Sequence, residues 1–534
     1  MRGMIVAPQP EAVEAGALAL KRGGNAVDAA IACAFMQGVV DPQMTGIAGF
    51  GVMQIYMPKR NVHVHLDFHT RCPAAARPDM WQDLIEGETR DGFGFILRGR
   101  VNDAGYQSIM VPGSLRAYEE ALASYGTMTW QDAMKPAIAA AYEGFVVRPH
   151  VHGMWVQQES KYGRVDIVEK LRLTKSGRRI YFHPNGALKG LGERIVNEEM
   201  ARTLERIARH GADIFYRGEI AEEIAADMKR HGGLLSLEDL RSYRTIRSEP
   251  IWGSYRDCRI AAAPPPAGGA QLLEMLHILE NFDLKRLGHN SPEFIRVMAE
   301  AMKYATIDKD LHIGDPQFVE VPLARLLSKS YARELAAKIE TGEIVHVERL
   351  EPKEKHGTTQ ISVVDEEGNV VSMTHSLGSP SGVITEGLGF MYNGCMNVFD
   401  PRPGRAGSIA PGKARFTAMS PSIVFKDGKP FIAIGAPGGT YISGSVMQGI
   451  VNVVDFGMPI LDAIVAPRIS VTSDIVDVSN RIPRFVTAAV EARGYRVARS
   501  YQSYAFAGLH GIKIENGSWS GAADPQRDGM ALEV

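Results

Sequence analysis

The sequence changes character at residues 357–365, which read GTTQISVVD. Before this stretch helical periodicity dominates, and residues 345–356 form a charged run that is predicted to be a solvated linker. After it, short apolar runs alternate with turns that contain glycine, a pattern typical of β-hairpins. We therefore predict a helix-rich segment followed by a strand-rich segment, with the boundary beside Thr358.

Hydrophobic periodicity predicts the individual elements on both sides of this boundary. Helices are predicted over residues 11–40 with a break at 23–25, and over 115–125, 130–143, 197–210, 220–231, 270–280, 292–308, 323–339, 443–456 and 484–493. Strands are predicted over residues 52–57, 62–68, 360–364, 370–375, 422–426 and 431–434.

The composition of the 534-residue chain excludes several classes of protein. Hydrophobic residues make up 45% and charged residues 22%, as in an ordinary globular protein. Since 59 basic residues face 61 acidic ones, the net charge of −2 favours neither nucleic acid nor a membrane surface as a partner. The four cysteines show no C-x-x-C spacing, and neither a signal-peptide core nor an 18-residue apolar run occurs, so we expect a reduced protein in the cytoplasm.

Thr358 is a candidate nucleophile because of its place in the chain. Threonine is common in strands, so the pair Thr358-Thr359 is also explained by strand formation alone. A threonine hydroxyl becomes a nucleophile when its own α-amine is free to act as the base. That amine is released only if the peptide bond before Thr358 is cut, and a junction between linker and strand offers a place for such a cut.

Two glycine-rich loops are weighed for chemistry. Residues 435–440, GAPGGT, contain adjacent glycines that allow two backbone N–H groups to point at one oxyanion, although a turn requiring positive φ explains them equally well. Residues 46–51, GIAGFG, resemble a phosphate loop, but a dinucleotide site needs a strand before the glycines and a helix after them. Here the predicted order is reversed, so no nucleotide cofactor is predicted.

A metal-dependent hydrolase is an alternative that one strand raises. Side chains two residues apart share one face of a strand, and the polar ones here are His63, His65, Asp67 and His69. A pair such as His63 and His65 is able to bind a divalent metal, but ordinary hydrogen bonding on a half-polar strand also explains it. A metal site needs further ligands, and no H-E-x-x-H or comparable motif occurs, so no metal is predicted.

Together and in order, these pieces resemble the gamma-glutamyltranspeptidase family of N-terminal nucleophile hydrolases along nearly the whole chain. The matching motifs are residues 15–16 (AG), 23–30 (GGNAVDAA), 111–114 (VPGS), 264–269 (PPPAGG), 314–316 (GDP), 358–365 (TTQISVVD), 368–369 (GN), 419–421 (MSP), 437–439 (PGG), 466–468 (APR) and 521–525 (GAADP).

The resemblance implies an α+β fold, a four-layer αββα sandwich, and a precursor that cuts itself between Gly357 and Thr358. Residues 1–357 would form a large subunit and residues 358–534 a small one, associated as one catalytic unit. Thr358 would be the nucleophile, with its new α-amine as general base, and the acyl-enzyme ester would be released by water or an amine. No cofactor is implied.

The resemblance also assigns four further residues to this machinery. Thr359 and Ser376 would orient the nucleophile, although the family usually has threonine at the position of Ser376. Gly438 and Gly439 would stabilise the tetrahedral oxyanion.

The chain departs from the family at the positions that hold a γ-glutamyl group. The family's arginine after Asp-Phe is replaced by His69, with Arg71 the nearest arginine. In the stretch 393–399 the family's amide and carboxylate, which hold the α-amine, are replaced by Cys395 and Val398. Gly378 replaces an asparagine, and Thr417 begins the pair that replaces two serines.

These departures predict conserved machinery with a changed acyl specificity. An ammonium group desolvated beside Val398 without a partner would be unfavourable by several kcal/mol, about the cost of any unpaired buried charge. We therefore expect a small-molecule amide whose acyl group lacks an α-amino group: an acid, with His69 or Arg71 as its anchor, or a small apolar group. The alternatives are true γ-glutamyl or glutathione hydrolysis, the metal-dependent hydrolase, and a non-catalytic relative, against which the intact nucleophile and glycines argue.

Overall fold

The computed structural model of the chain describes residues 1–349 and 358–534. Its strands are β1 (Gly3–Pro8), β2 (Phe50–Met57), β3 (Val62–Phe68), β4 (Ile85–Glu88), β5 (Phe95–Leu97), β6 (Phe145–Val146), β7 (Arg194–Ile195), β8 (Ile246–Ser248), β9 (Ile251–Tyr255), β10 (Cys258–Ala262), β11 (Thr359–Asp365), β12 (Val370–Ser376), β13 (Ser422–Lys426), β14 (Lys429–Gly435), β15 (Ile469–Ser470), β16 (Ile475–Val478), β17 (Arg496–Arg499), β18 (His510–Glu515), β19 (Ser518–Ala523) and β20 (Gly529–Glu533).

The helices flank these strands in chain order. They are α1 (Pro10–Lys21), α2 (Ala26–Val40), α3 (Ser114–Tyr125), α4 (Trp130–Glu143), α5 (Pro149–Trp155), α6 (Ile167–Arg172), α7 (Lys175–Tyr181), α8 (Glu198–His210), α9 (Asp213–Tyr216), α10 (Glu219–Arg230), α11 (Leu237–Ser242), α12 (Gly269–Leu279), α13 (Leu284–Leu287), α14 (Pro292–His312), α15 (Leu323–Leu326), α16 (Lys329–Glu340), α17 (Ile442–Val454), α18 (Ile460–Val465) and α19 (Arg484–Glu491).

Two antiparallel sheets form the centre of the molecule. One has seven strands in the order β20-β1-β11-β12-β2-β3-β8, and the other has six in the order β19-β18-β14-β13-β10-β9. Apolar side chains of both sheets meet between them, among them Val6, Val364, Ile423 and Ala433. Because strand side chains alternate between faces, the neighbouring Ile5 and Val363 point the other way, towards helices.

Helices cover the outer face of each sheet. Helices α1 and α2 pack on the seven-stranded sheet and share a core with it, while α12, α17 and α18 pack on the six-stranded sheet. Helix α2 begins at Asn25, whose side chain accepts from the backbone N–H groups of Val27 and Asp28 in a capping box. The predicted four-layer αββα sandwich is thereby confirmed.

The two halves of the sequence are interleaved rather than side by side. Strand β1 lies between β20 and β11, and β10 pairs with β13, so each sheet takes strands from both halves. The sequence analysis missed β1, β4 to β10 and β15 to β20, and it treated the chain before residue 357 as mostly helical. Short, partly polar strands such as β9, IWGSY, carry too little alternation to be recognised without their partners.

Two further expectations need correction. The predicted helix over residues 323–339 is two helices, because Ser328 caps the start of α16 and ends the first turn. The predicted linker 345–356 is packed rather than solvated at its start, since Val347 is buried and Arg349 pairs with Asp310 at 2.7 Å. Its remaining residues, 350–356, lie outside the described ranges.

Over residues 1–349 and 358–534, none of the helices combines the length and the apolar character that a membrane crossing requires.

One side chain ties the two sheets together and gives a test of the packing. Gln54 on β2 is fully buried, and its amide donates to the carbonyls of Ala261 at 3.1 Å and Pro421 at 2.6 Å. Gln54→Met keeps the volume but removes both hydrogen bonds, which we expect to cost about 1–3 kcal/mol and to lower the midpoint of urea unfolding. Gln82→Met, at an exposed position, is the control; equal midpoints in the two variants would contradict the bridge.

Candidate active site

Thr358 lies at the head of β11, beside the end of the neighbouring strand β12. It is 3% exposed, and the Ser376 hydroxyl donates to Thr358 Oγ1 over 3.4 Å. The backbone N–H of Gly378 donates in turn to Ser376 Oγ at 2.8 Å. Antiparallel pairing of β11 with β12 produces this arrangement, because it sets the start of one strand against the end of the other.

The second threonine points to the opposite face of the sheet. Thr359 is the register partner of His375, and both share a face with side chains such as Ile361 that pack on the helices. The Thr359 hydroxyl is buried and has no hydrogen-bond partner within the part of the chain that the structure describes. Its orienting role therefore stays a prediction, without a contact to carry it.

His375 is a buried polar residue that the sequence analysis did not single out. Its Nδ1 lies 2.7 Å from the Tyr118 hydroxyl and its Nε2 lies 2.7 Å from Gln37 Oε1. Burial lowers the pKa of His375 to about 3, so the ring is neutral at physiological pH. Its hydrogen bonds fix the end of β12 next to Ser376.

The glycines proposed for the oxyanion follow directly from the end of β14. Gly435 ends that strand beside β11, so close that a side chain there would clash with the amide of Gln360. Gly438 has φ 149° and Gly439 has φ 59°, and a Cβ on Gly438 would lie 2.4 Å from Ala507 Cα. These conformations require glycine, and the oxyanion role of both residues stays a prediction.

One fully bonded asparagine joins three loops around the site. Asn393 donates to the carbonyls of Ala48 at 3.0 Å and Met110 at 2.9 Å, and its own oxygen accepts from the N–H groups of Met110 and Cys395. Ala48 lies in the glycine-rich turn of residues 46–51, which resembles a phosphate loop in sequence. Close packing explains a glycine there, since a Cβ on Gly49 would lie 2.4 Å from the carbonyl oxygen of Ser376.

The two predicted anion anchors are both engaged with carboxylates. His69 Nδ1 lies 2.6 Å from Asp67, and Arg71 lies 2.9 Å from Asp315 and 3.5 Å from Asp67. Burial would raise the pKa of Asp67, but the charges of His69 and Arg71 outweigh it and hold that pKa low. Arg71 therefore holds two loops together. Of the side-chain atoms of these two anchors, His69 Nε2 is buried without a hydrogen-bond partner among the described residues.

Cys395 and Gly378, in contrast, lie together beside the nucleophile. A Cβ on Gly378 would lie 2.8 Å from Cys395 Sγ and 2.9 Å from Nη2 of Arg415. Cys395 is fully buried, and burial raises the pKa of its thiol although Arg415 and Thr70 lower it in part. The sequence analysis missed Arg415; the signal was a lone charge in an otherwise uncharged stretch, residues 414–421.

The remaining predicted pocket residues frame this cluster. Thr417 is buried, and its N–H donates to the carbonyl of Pro266 at 3.0 Å. Val398 ends a short 3₁₀ turn that starts at Cys395, and the turn packs against Gly94. Gly357, on the far side of the predicted cleavage site, lies outside the described residues.

The histidines of the metal alternative have other partners. His63 Nε2 lies 3.3 Å from Gln54 Oε1, and His65 Nδ1 lies 3.3 Å from Ser248 Oγ. Burial lowers the pKa of each ring to about 4, so both are neutral. Within residues 1–349 and 358–534, no cluster of three or more His, Cys, Asp and Glu side chains is placed to hold a metal ion.

Comparison with known proteins finds relatives along nearly the whole chain. A family model described as gamma-glutamyltranspeptidase matches residues 12–534. Acylase ACY 1 proenzyme from Pseudomonas sp. (strain SE83) is 36% identical, covering 100% of this chain and 94% of that protein. Glutathione hydrolase proenzyme from Escherichia coli (strain K12) is 33% identical, covering 98% and 90%. The crystal structure of cephalosporin acylase from Bacillus halodurans gives a TM-score of 0.88 at 28% identity, covering 99% and 95%.

The contact between Ser376 and Thr358 gives a direct test of the site. Ser376→Ala removes the hydroxyl that touches Thr358 Oγ1 and leaves the Gly378 N–H unpaired. We expect the rate of self-cleavage and the kcat for an anilide substrate each to fall about 10- to 100-fold. Ser376→Thr, which keeps the hydroxyl, is the matched control and is expected to retain most of both rates. If the two rates fell in Ser376→Thr but not in Ser376→Ala, the role of the hydroxyl would be contradicted.

Proposed function

The chain belongs to the gamma-glutamyltranspeptidase family of N-terminal nucleophile hydrolases. We propose how its active site works and which class of amide it hydrolyses. It is a self-processing amide hydrolase related to the gamma-glutamyltranspeptidases. We propose that it cuts itself before Thr358 and that residues 1–357 and 358–534 remain together as one catalytic unit. The observation that carries this proposal is the pairing of Thr358 with Ser376 at the head of β11.

In the proposed mechanism the freed α-amine of Thr358 acts as the base. It takes the proton of Oγ1 while that oxygen attacks the carbonyl carbon of the amide. The N–H groups of Gly438 and Gly439 stabilise the resulting oxyanion. The intermediate collapses to an acyl-threonine ester, and the leaving amine takes the proton from the α-ammonium. Water then repeats these steps on the ester, which yields the carboxylic acid and restores the Thr358 hydroxyl.

The proposed acyl group lacks an α-ammonium, and the charge around Cys395 supports this. Cys395 stands where the family has an amide for the α-amine, and the Arg415 guanidinium lies 3.8 Å from its sulfur. A substrate ammonium at this place would meet a positive charge of the protein in a buried setting, where like charges repel strongly. Val398 offers no carboxylate to offset this repulsion.

The relatives support an amide substrate without fixing which one. One sequence relative is named an acylase proenzyme and another a glutathione hydrolase proenzyme, and one structural relative is a cephalosporin acylase. We propose that this chain acts as an acylase on a small-molecule amide. We further propose a reducing cytoplasmic location, which the four free, buried cysteines support.

Self-cleavage is tested by the intact mass of freshly purified protein under denaturing conditions. We expect two fragments that end at Gly357 and begin at Thr358, and a single uncut chain for Thr358→Ala, because the variant lacks the attacking oxygen. Thr358→Ser, which keeps a hydroxyl, is the control and is expected to cleave. An uncut wild-type chain would remove the free α-amine on which the proposed mechanism depends.

The acyl preference is tested with two anilides that differ by one group. Glutaryl p-nitroanilide has the carbon chain and terminal carboxylate of a γ-glutamyl anilide but lacks its ammonium. We expect kcat/KM for the glutaryl compound to exceed that for the γ-glutamyl compound by about 100-fold, the typical effect of leaving a buried charge unpaired. Efficient γ-glutamyl turnover would instead favour a true γ-glutamyl hydrolase.

A further inference from the structure

We propose that Arg415 binds a carboxylate at the far end of the acyl group and that it, rather than His69 or Arg71, is the anion anchor of the pocket. The inference deepens the proposed function and rests on it. It departs from the sequence-based expectation, which placed an anion at His69 or Arg71.

The charge of Arg415 is buried without a counter-charge. The residue is 2% exposed, and no carboxylate lies within salt-bridge distance of its guanidinium in the described part of the chain. A buried cation is unfavourable unless it is paired or hydrogen-bonded. The rings of Phe50 and Phe93, at 4.6 and 5.5 Å, offset part of that cost through cation–π contact.

One edge of the guanidinium has no strong acceptor among the described residues. Nη1 donates to the carbonyl of Phe416 at 3.0 Å, which occupies the opposite end of the group. Within residues 1–349 and 358–534, Nε has no acceptor, and Nη2 has only the weak contact with Cys395 Sγ at 3.8 Å. Nε and Nη2 form the edge that grips a carboxylate through two parallel hydrogen bonds, whereas the aromatic rings cover the faces.

This edge lies close to the nucleophile. Nη2 is 2.9 Å from the position that a Cβ would take on Gly378, and the Gly378 N–H donates to Ser376 Oγ. Ser376 is in turn the residue that touches Thr358. A five-carbon diacid spans roughly 5 Å between its terminal carbons by ordinary bond lengths. This length suits a cation that is separated from the attacking oxygen by Gly378 and Ser376.

Three other cations near the site already have anionic partners. Arg71 is held by Asp315, Lys170 by Asp103 and Arg164 by Asp91 and Glu159, with distances from 2.8 to 3.4 Å. A substrate carboxylate would have to compete with these internal carboxylates. At Arg415 it would meet no carboxylate within salt-bridge distance among the described residues.

The test compares two acyl donors that are nearly isosteric. Glutaryl p-nitroanilide ends in a carboxylate, and the corresponding glutaramoyl p-nitroanilide ends in a neutral amide. We expect the wild type to prefer the carboxylate by at least about 10-fold in kcat/KM, and Arg415→Gln to lower the glutaryl value on the order of 100-fold and to abolish the preference. A merely structural role would lower both values together and leave their ratio unchanged.

Three further variants test whether Arg415 itself binds the carboxylate. Arg415→Lys keeps the charge but loses the two-pronged grip and is expected to fall between wild type and Arg415→Gln. Arg77→Gln removes an exposed arginine and serves as the control for the loss of one charge. Arg71→Gln tests the other anchor. A ratio that collapses in Arg71→Gln but not in Arg415→Gln overturns the proposal, as does a wild type that prefers the neutral donor.

A binding measurement separates this proposal from the proposed function. Calorimetry with glutarate needs neither self-cleavage nor turnover. Glutarate binding to wild type that weakens at least about 10-fold in Arg415→Gln supports the anion site even if no amide is hydrolysed. If amides are hydrolysed through Thr358 but glutarate binds both proteins equally, or neither, the function stands and the role of Arg415 is overturned.

Discussion

The pairing of β11 with β12 is the constraint on which the site depends. It runs in register from Thr359 opposite His375 to Val364 opposite Val370. This register sets the Ser376 hydroxyl against Thr358 and leaves His375 on the helix side, held by Tyr118 and other buried partners. A slip by one residue would exchange the two faces and carry the Thr358 hydroxyl away from the space between the sheets.

The electrostatics next to the nucleophile bear on the proposed acyl specificity. The sequence resemblance puts the family's ammonium-binding amide at the position of Cys395, whose thiol lies 3.8 Å from the Arg415 guanidinium. Replacing a negative partner by a neutral one would weaken the binding of a positive acyl group, and adding a cation makes that binding unfavourable. If the proposed pocket is right, the missing ammonium-binding groups and the presence of Arg415 would therefore act in the same direction on acyl specificity.

The sequence indicated the candidate nucleophile and its neighbour better than the surrounding pocket. Thr358 and Ser376 stand in local motifs that single them out, and the structure brings their hydroxyls together. The long helices α2 and α14 were recognisable as long runs between turn signals. Arg71 was taken for an anchor because Asp315, its partner 244 residues away, becomes its neighbour only in the fold. Arg415 was overlooked for the converse reason, since a missing counter-charge is visible only when all neighbours are known.

The interleaved strands also explain how a cut chain would stay whole. Strand β1, from the first segment, is hydrogen-bonded to β11 and β20 of the second, so separating the segments would break both ladders of a buried sheet. Close to the cleavage position, Arg349 is fixed by Asp310 on one side, and Thr358 is fixed by the head of β11 on the other. The contacts that hold Arg349 and Thr358 do not involve the peptide bond before Thr358. Cutting that bond would release an α-amine at Thr358 while the sheets that position its hydroxyl stay intact.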